Sequence, residues 1–145
     1  MIDLAIISLP RLDLTRPAIA PAILSSLANQ KGVKNKVFDF ALATHDRSTR
    51  DDWHEYELFW QVDLKHQLDK ETKIRLDKLF DSFVEEVLRE EPSWIAISVF
   101  TYQCQTFAML LAQNLKKLKP QVKIIFGGEG LTTQGLESTD AWPKE

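Results

Sequence analysis

Hydrophobic positions in this chain follow two alternating rhythms. Leu4-Ala5-Ile6-Ile7-Ser8 is continuously apolar and stops at Pro10, which predicts a short strand buried on both faces. Between Pro17 and Gln30 the spacing of Ile19, Ile23, Leu24 and Leu27 predicts a helix, and Gly32 stands where a left-handed terminating residue belongs. Lys36 to Phe40 predicts a second strand, with Asp39 near its carboxyl end. Trp53, Tyr56, Trp60, Leu64 and Leu68 recur at steps of three or four, so Asp51 to Leu68 reads as helical with one aromatic stripe. The strongest periodicity spans Glu71 to Arg89, where Leu76, Leu79, Phe80, Phe83, Val84, Val87 and Leu88 mark a helix that Pro92 ends. Trp94 to Phe100 is a strand expected at the centre of the sheet. Phe107, Leu111, Leu115 and Leu118 mark a further helix, and Val122 to Phe126 a fourth strand running into Gly127-Gly128.

Strand and helix alternate throughout, which implies right-handed crossovers. The expected fold is α/β: a doubly wound, flavodoxin- or Rossmann-like parallel sheet of four or five strands with helices on both faces. One domain over residues 1–145 is expected, with a helical insertion at about 45–70. The stretch from Leu131 to Glu145 contains no convincing strand, although a five-stranded version would place one soon after the fourth. Either the domain is shorter than usual or the natural chain continues.

Composition narrows the function classes. Eighteen Lys and Arg against twenty-one Asp and Glu leave a net charge of -3, without the basic excess that nucleic acid binding draws on. Cys104 is the only cysteine, so neither an intrachain disulfide nor a cluster held by several thiolates can be built from this chain alone. No apolar run approaches the roughly 20 residues of a membrane span, and Met1-Ile2-Asp3 does not lead into a secretory signal. A reducing, cytoplasmic setting without a membrane partner is expected.

In open parallel sheets ligands bind beyond the carboxyl ends of the strands, where strand order reverses. That selects Ser8 to Thr15, Ser98 to Gln103 and Gly127 to Thr133. Gly127-Gly128-Glu129-Gly130 either lets a ligand approach the backbone closely or simply makes a tight turn. Its spacing matches neither the dinucleotide fingerprint nor the phosphate-binding loop. Ser98 sits in an apolar strand, so its hydroxyl needs a partner, and Thr101, Tyr102 and Gln103 either line a crevice or cap the next helix. The loop from Leu9 to Pro17 carries Arg11 and Arg16 and suits an anion contact or a solvated turn. His45, His54 and His66 lack metal-site spacing, and Cys104 reads as a small buried apolar residue rather than a nucleophile.

Three short motifs together resemble the N-terminal cobalamin-binding-like domain of cobalamin-dependent radical S-adenosylmethionine enzymes. They are Leu9-Pro10 with Arg16-Pro17, Ile97-Ser98-Val99-Phe100-Thr101, and Ile125-Phe126-Gly127-Gly128-Glu129. The resemblance implies a small-molecule cofactor, cobalamin, held by Pro10, Ser98, Thr101, Gly127, Gly128, Glu129 and Gly130. The Asp-x-His-x-x-Gly motif that supplies a histidine to cobalt is absent, so histidine ligation is not expected. An iron–sulfur cluster and S-adenosylmethionine would require a downstream catalytic domain or partner protein, since Cys104 cannot replace a three-cysteine motif. The chain alone is expected to catalyse nothing. Rival readings are a flavodoxin-like protein-interaction or regulatory domain without cofactor, and a nucleotide- or flavin-binding enzyme.

Overall fold

The computed structural model describes residues 1–10, 18–60 and 65–131. Its sheet contains β1 (Leu4–Ser8), β2 (Asn35–Asp39), β3 (Trp94–Ser98) and β4 (Lys123–Gly127), in the order β2-β1-β3-β4. All three pairings are parallel. This is the order of flavodoxin-like sheets, and the direction of winding reverses between β1 and β3. The helices are α1 (Ile19–Gln30), α2 (Phe40–Arg47), α3 (Arg50–Trp60), α4 (Lys70–Arg89) and α5 (Gln105–Leu118).

Successive strand residues point to opposite faces, so each five-residue strand divides its side chains between two environments. Ala5, Ile7, Ile95, Ile97 and Val99 join Phe80, Phe83, Val87, Phe107, Leu111 and Leu115 in the main core, which α4 and α5 close. Aromatic rings knit that layer together: Phe40 stacks on Phe83 at 4.1 Å between centroids, and Phe80 meets Phe107 at 4.4 Å. The opposite face, with Leu4, Ile6, Ala96, Ser98 and Ile125, is covered only in part, by α1.

The helix α1 ends as its sequence predicts. Gly32 has φ +74, its N–H donates to the Asn29 carbonyl, and the Val33 N–H donates to the Ala28 carbonyl, which together make a Schellman cap. Only Pro21 of this helix is buried.

Of the stretch from Asp51 to Leu68 expected to be helical, α3 takes the part to Trp60 and residues 65–68 are not helical, while a separate short helix, α2, precedes it. Asp39 caps α2 by accepting from the Leu42 N–H, so Phe40 opens a helix instead of closing the second strand. The aromatic stripe packs inward: Trp60 and Tyr56 are buried, and the Trp60 ring meets Trp53, Tyr56 and Phe107. Leu64 lies outside the described residues. The strand expected from Trp94 to Phe100 is interior as predicted but ends at Ser98, and Trp94 and Phe100 at its two ends are 40% and 55% exposed.

A polar clamp fixes α3 to α4. The buried Asp52 carboxylate accepts two bonds from Arg75, at 2.8 and 2.7 Å, and Arg75 also donates to Thr72 Oγ1. Asp69 caps α4 by accepting from the Glu71 and Thr72 N–H groups and from the Thr72 hydroxyl at 2.6 Å, and the hydroxyl bond first, with the Thr72 N–H bond beside it, holds its carboxyl below the usual range. Burial, reinforced by the Asp52 charge, pushes the Tyr56 phenol up to about 12.

Two outcomes follow from the unequal packing of the two faces. Phe107→Ala should cost about 3–5 kcal/mol in urea denaturation, because it empties the centre of the aromatic cluster, whereas Ile125→Ala, at a half-exposed site, should cost under about 1 kcal/mol. Because the Tyr56 pKa is raised on folding, its stabilising contribution is intact below pH 10 and is lost as pH rises through about 12. Tyr56→Phe should remove that alkaline loss and the last phenolate step in an ultraviolet absorbance titration.

Candidate functional site

The parallel register places Asp39, Ser8, Ser98 and Gly127 side by side across the carboxyl edge of the sheet. All four belong to the face that α1 partly covers, since residues opposed in parallel register share a face. A cleft of about 570 Å³ runs along that face, walled by Ala20, Ile23 and Leu24 of α1 and floored by strand residues from Leu4 and Ile6 to Ser98, Ile125, Gly127 and Gly128. The volume is in the range of small-molecule sites. Its lining is almost wholly aliphatic, and its polar groups gather at the carboxyl end.

Ser8 is fully buried, and its Oγ has no hydrogen-bond partner among the described residues. An orphaned buried hydroxyl costs about 1–3 kcal/mol, so its position beside Ser98 at the winding reversal is chemically unusual. Ser98 itself is half-buried and lines the cleft.

The glycine turn divides into two roles. At Gly128, φ is +121 and an added Cβ would stand 2.3 Å from the Val99 carbonyl oxygen. At Gly130 it would stand 2.5 Å from the Thr101 carbonyl. These two glycines therefore let the turn after β4 press against the turn after β3. The contact is sealed by hydrogen bonds from Val99 N–H to the Gly127 carbonyl, from Gly130 N–H to the Val99 carbonyl, and from Gln105 Nε2 to the Gly130 carbonyl. Gly127 differs, because a Cβ there would meet nothing within 4 Å and the residue faces the cleft. Glu129 opens the short 3₁₀ turn Glu129–Leu131 beyond β4.

Pro10 and Thr101 are brought together through Cys104. The Cys104 thiol donates to the Pro10 carbonyl at 3.1 Å and lies 3.4 Å from Thr101 Oγ1, which ties the start of the loop after β1 to the turn after β3. Cys104 is buried, as its sequence reading requires. Residues 11–17, with Arg11 and Arg16, lie outside the described residues, as do 132–145.

The cleft is thus assembled from Ser98, Gly127 and Gly128, which sequence reasoning selected, and from Leu4, Ile6, Ala20, Ile23, Leu24, Ala96, Ile97 and Ile125, which it did not; Ser8 lies buried beside Ser98 and does not line it. One signal was present. The strands Leu4–Ser8 and Trp94–Ser98 both close an apolar run with serine, and the register sets the two serines against each other. The histidines stand apart from the cleft: His45 packs edge-on to Trp53, and His66 Nε2 lies 2.7 Å from Glu55 Oε2. Among the described residues no group of three metal-ligating side chains occurs, and no helix is long and apolar enough to cross a membrane.

Comparisons with protein-family models, with curated proteins and with solved structures find no match to this chain.

The two glycine roles separate in a stability measurement. Gly128→Ala and Gly130→Ala should each lose about 3 kcal/mol or more, because backbone must move. Gly127→Ala should stay within about 1 kcal/mol of the parent in the same thermal melts.

Proposed function

We propose that this chain is a ligand-binding module whose cleft takes the nucleotide tail of a corrinoid such as cobalamin, without a protein histidine on cobalt. The observation that carries the reading is the cleft itself: an aliphatic slot beside α1 that ends at Ser98 and Gly127, at the carboxyl edge where the winding reverses. Its size suits the tail and not the macrocycle, which would rest beyond the strand ends near Pro10, Thr101 and the turn from Gly128 to Gly130. One detail of the residues fits such a group: the open space over Gly127 lets a bulky group pass close to the strand.

When bound, the cofactor would supply a transferable methyl group for methyl transfer or a related radical modification. In this reading a downstream catalytic domain or a partner protein holds the iron–sulfur cluster and S-adenosylmethionine. This chain's own residues bind and orient: the α1 side chains exclude water from the tail, and Ser98 offers a hydrogen bond at the mouth.

A visible-absorbance titration with hydroxocobalamin tests the reading. Saturable binding is expected, weakened at least tenfold for cobinamide, which lacks the nucleotide tail. A Cβ at Gly127 meets nothing within 4 Å, so Gly127→Val should narrow the cleft and weaken hydroxocobalamin binding at least tenfold while the melting temperature holds. Absence of binding up to about 1 mM would reject the corrinoid and favour the interaction-domain reading, which one observation already supports: the uncharged outer surface of α1.

A further inference from the structure

We infer that Phe100 is a stacking platform, whose ring takes the flat conjugated face of the ligand that reaches into the cleft. For the identity of that ligand, a corrin macrocycle, the inference rests on the proposed function; the platform itself rests on geometry. Two aromatic side chains among the described residues are exposed, Trp94 at 40% and Phe100 at 55%. Trp94 has a partner, since Lys123 lies over its ring at 4.6 Å. Phe100 has neither an aromatic nor a cationic partner among the described residues, whereas Phe40, Phe80, Phe83 and Phe107 stack on one another within the core. An aromatic ring left in water at the end of an interior strand contributes little to the fold that exposes it.

Its position follows from the strand before it. Side chains alternate between the faces of a sheet. Ser98 lines the cleft, and Val99 is buried in the main core on the opposite face. The Val99 N–H donates to the Gly127 carbonyl at 2.7 Å, so the ladder continues past the end of β3, and Thr101 is again extended, with φ −127 and ψ 159. Phe100, between these two, returns to the face of Ser98 and stands about 7 Å farther along at the ordinary rise of a strand. That is the cleft side of the carboxyl edge, beyond the strand ends, where the ring system of a ligand must lie when its tail occupies the slot.

The backbone that carries the ring is held on both sides. The Val99 carbonyl accepts from the Gly130 N–H at 3.0 Å and lies against Gly128, while the Thr101 carbonyl accepts from the Cys104 N–H at 3.0 Å and lies against Gly130. The close approach of the two glycines thus fixes the segment from which the phenyl ring projects. A rigid aromatic with two torsions offers a large contact area at small entropic cost, and a pre-ordered backbone lowers the cost further. Offset stacking then favours a flat conjugated partner over an aliphatic one. Phe100 is in this respect the complement of the cleft: the slot selects the tail and the ring selects the head.

Titrations of the full chain with hydroxocobalamin, cobinamide and flavin mononucleotide, followed by absorbance or flavin fluorescence, test the inference. Phe100→Ala should weaken hydroxocobalamin and cobinamide by the same factor, about tenfold, because both carry the macrocycle. Gly127→Val should weaken hydroxocobalamin and leave cobinamide unchanged, because cobinamide has no tail for the slot. Phe100→Leu, apolar but not flat, should bind less tightly than the parent, and Phe100→Trp should match it. The melting temperature should hold for all three Phe100 variants, since an exposed side chain adds little to folding. Corrinoid binding that is the same for the parent and Phe100→Ala, or for the parent and Phe100→Leu, would overturn the platform and leave the corrinoid reading standing. Flavin binding that Phe100→Ala abolishes, with no corrinoid bound, would keep the platform and reject the corrin as its ring. A parent chain that binds none of the three up to about 1 mM would overturn both.

Discussion

The two faces of the sheet are covered unequally, and most features of this protein depend on that imbalance. Each strand contributes alternate side chains to opposite sides. One side meets α4 and α5, whose ridges of Leu, Phe and Val close completely over it. The other side meets a single twelve-residue helix with one buried residue. Stability is therefore concentrated in the first layer, where Phe83 and Phe107 reach zero to one per cent exposure. The second layer is left with surface that a ligand or a protein can still bury. Because hydrophobic burial is roughly proportional to area, the energy not used in folding on that side is available for association.

The carboxyl edge shows how backbone, more than side chains, organises a site. Val99, Gly127 and Gly130 exchange main-chain hydrogen bonds across two turns, and Gln105 locks the outer one. Two glycines are consumed by that closure. The third is left to the cleft. A glycine-rich sequence therefore held two distinct requirements that differ only in what surrounds each missing Cβ.

Much of the fold was legible in the sequence, because strands buried on both sides and helices with a full apolar stripe carry unmistakable periodicities. The four strands, the parallel winding and the long helix ending before Pro92 follow from those patterns. The region after β2 was harder. There Asp39 both ends a strand and caps a helix, and no apolar rhythm announces α2, whose burial comes from Phe40, Ala41 and Thr44. The site was legible as an edge but not as a cleft. Ser98 and Gly127 could be chosen from the rule about strand ends, whereas the walls depend on how far α1 reaches across the sheet. Ser8 acquires its meaning only from register, which a single sequence does not display. The roles of Gly128 and Gly130 likewise required the neighbouring carbonyls to be seen.

The hydrogen bond from Cys104 to Pro10 has a consequence for kinetics. As the chain's sole thiol it is buried between the turns after β1 and β3, and a reagent reaches it only when those turns part. Local openings of this kind cost less than global unfolding and occur far more often. The rate at which a thiol reagent labels the native protein therefore reads the breathing of the carboxyl edge directly.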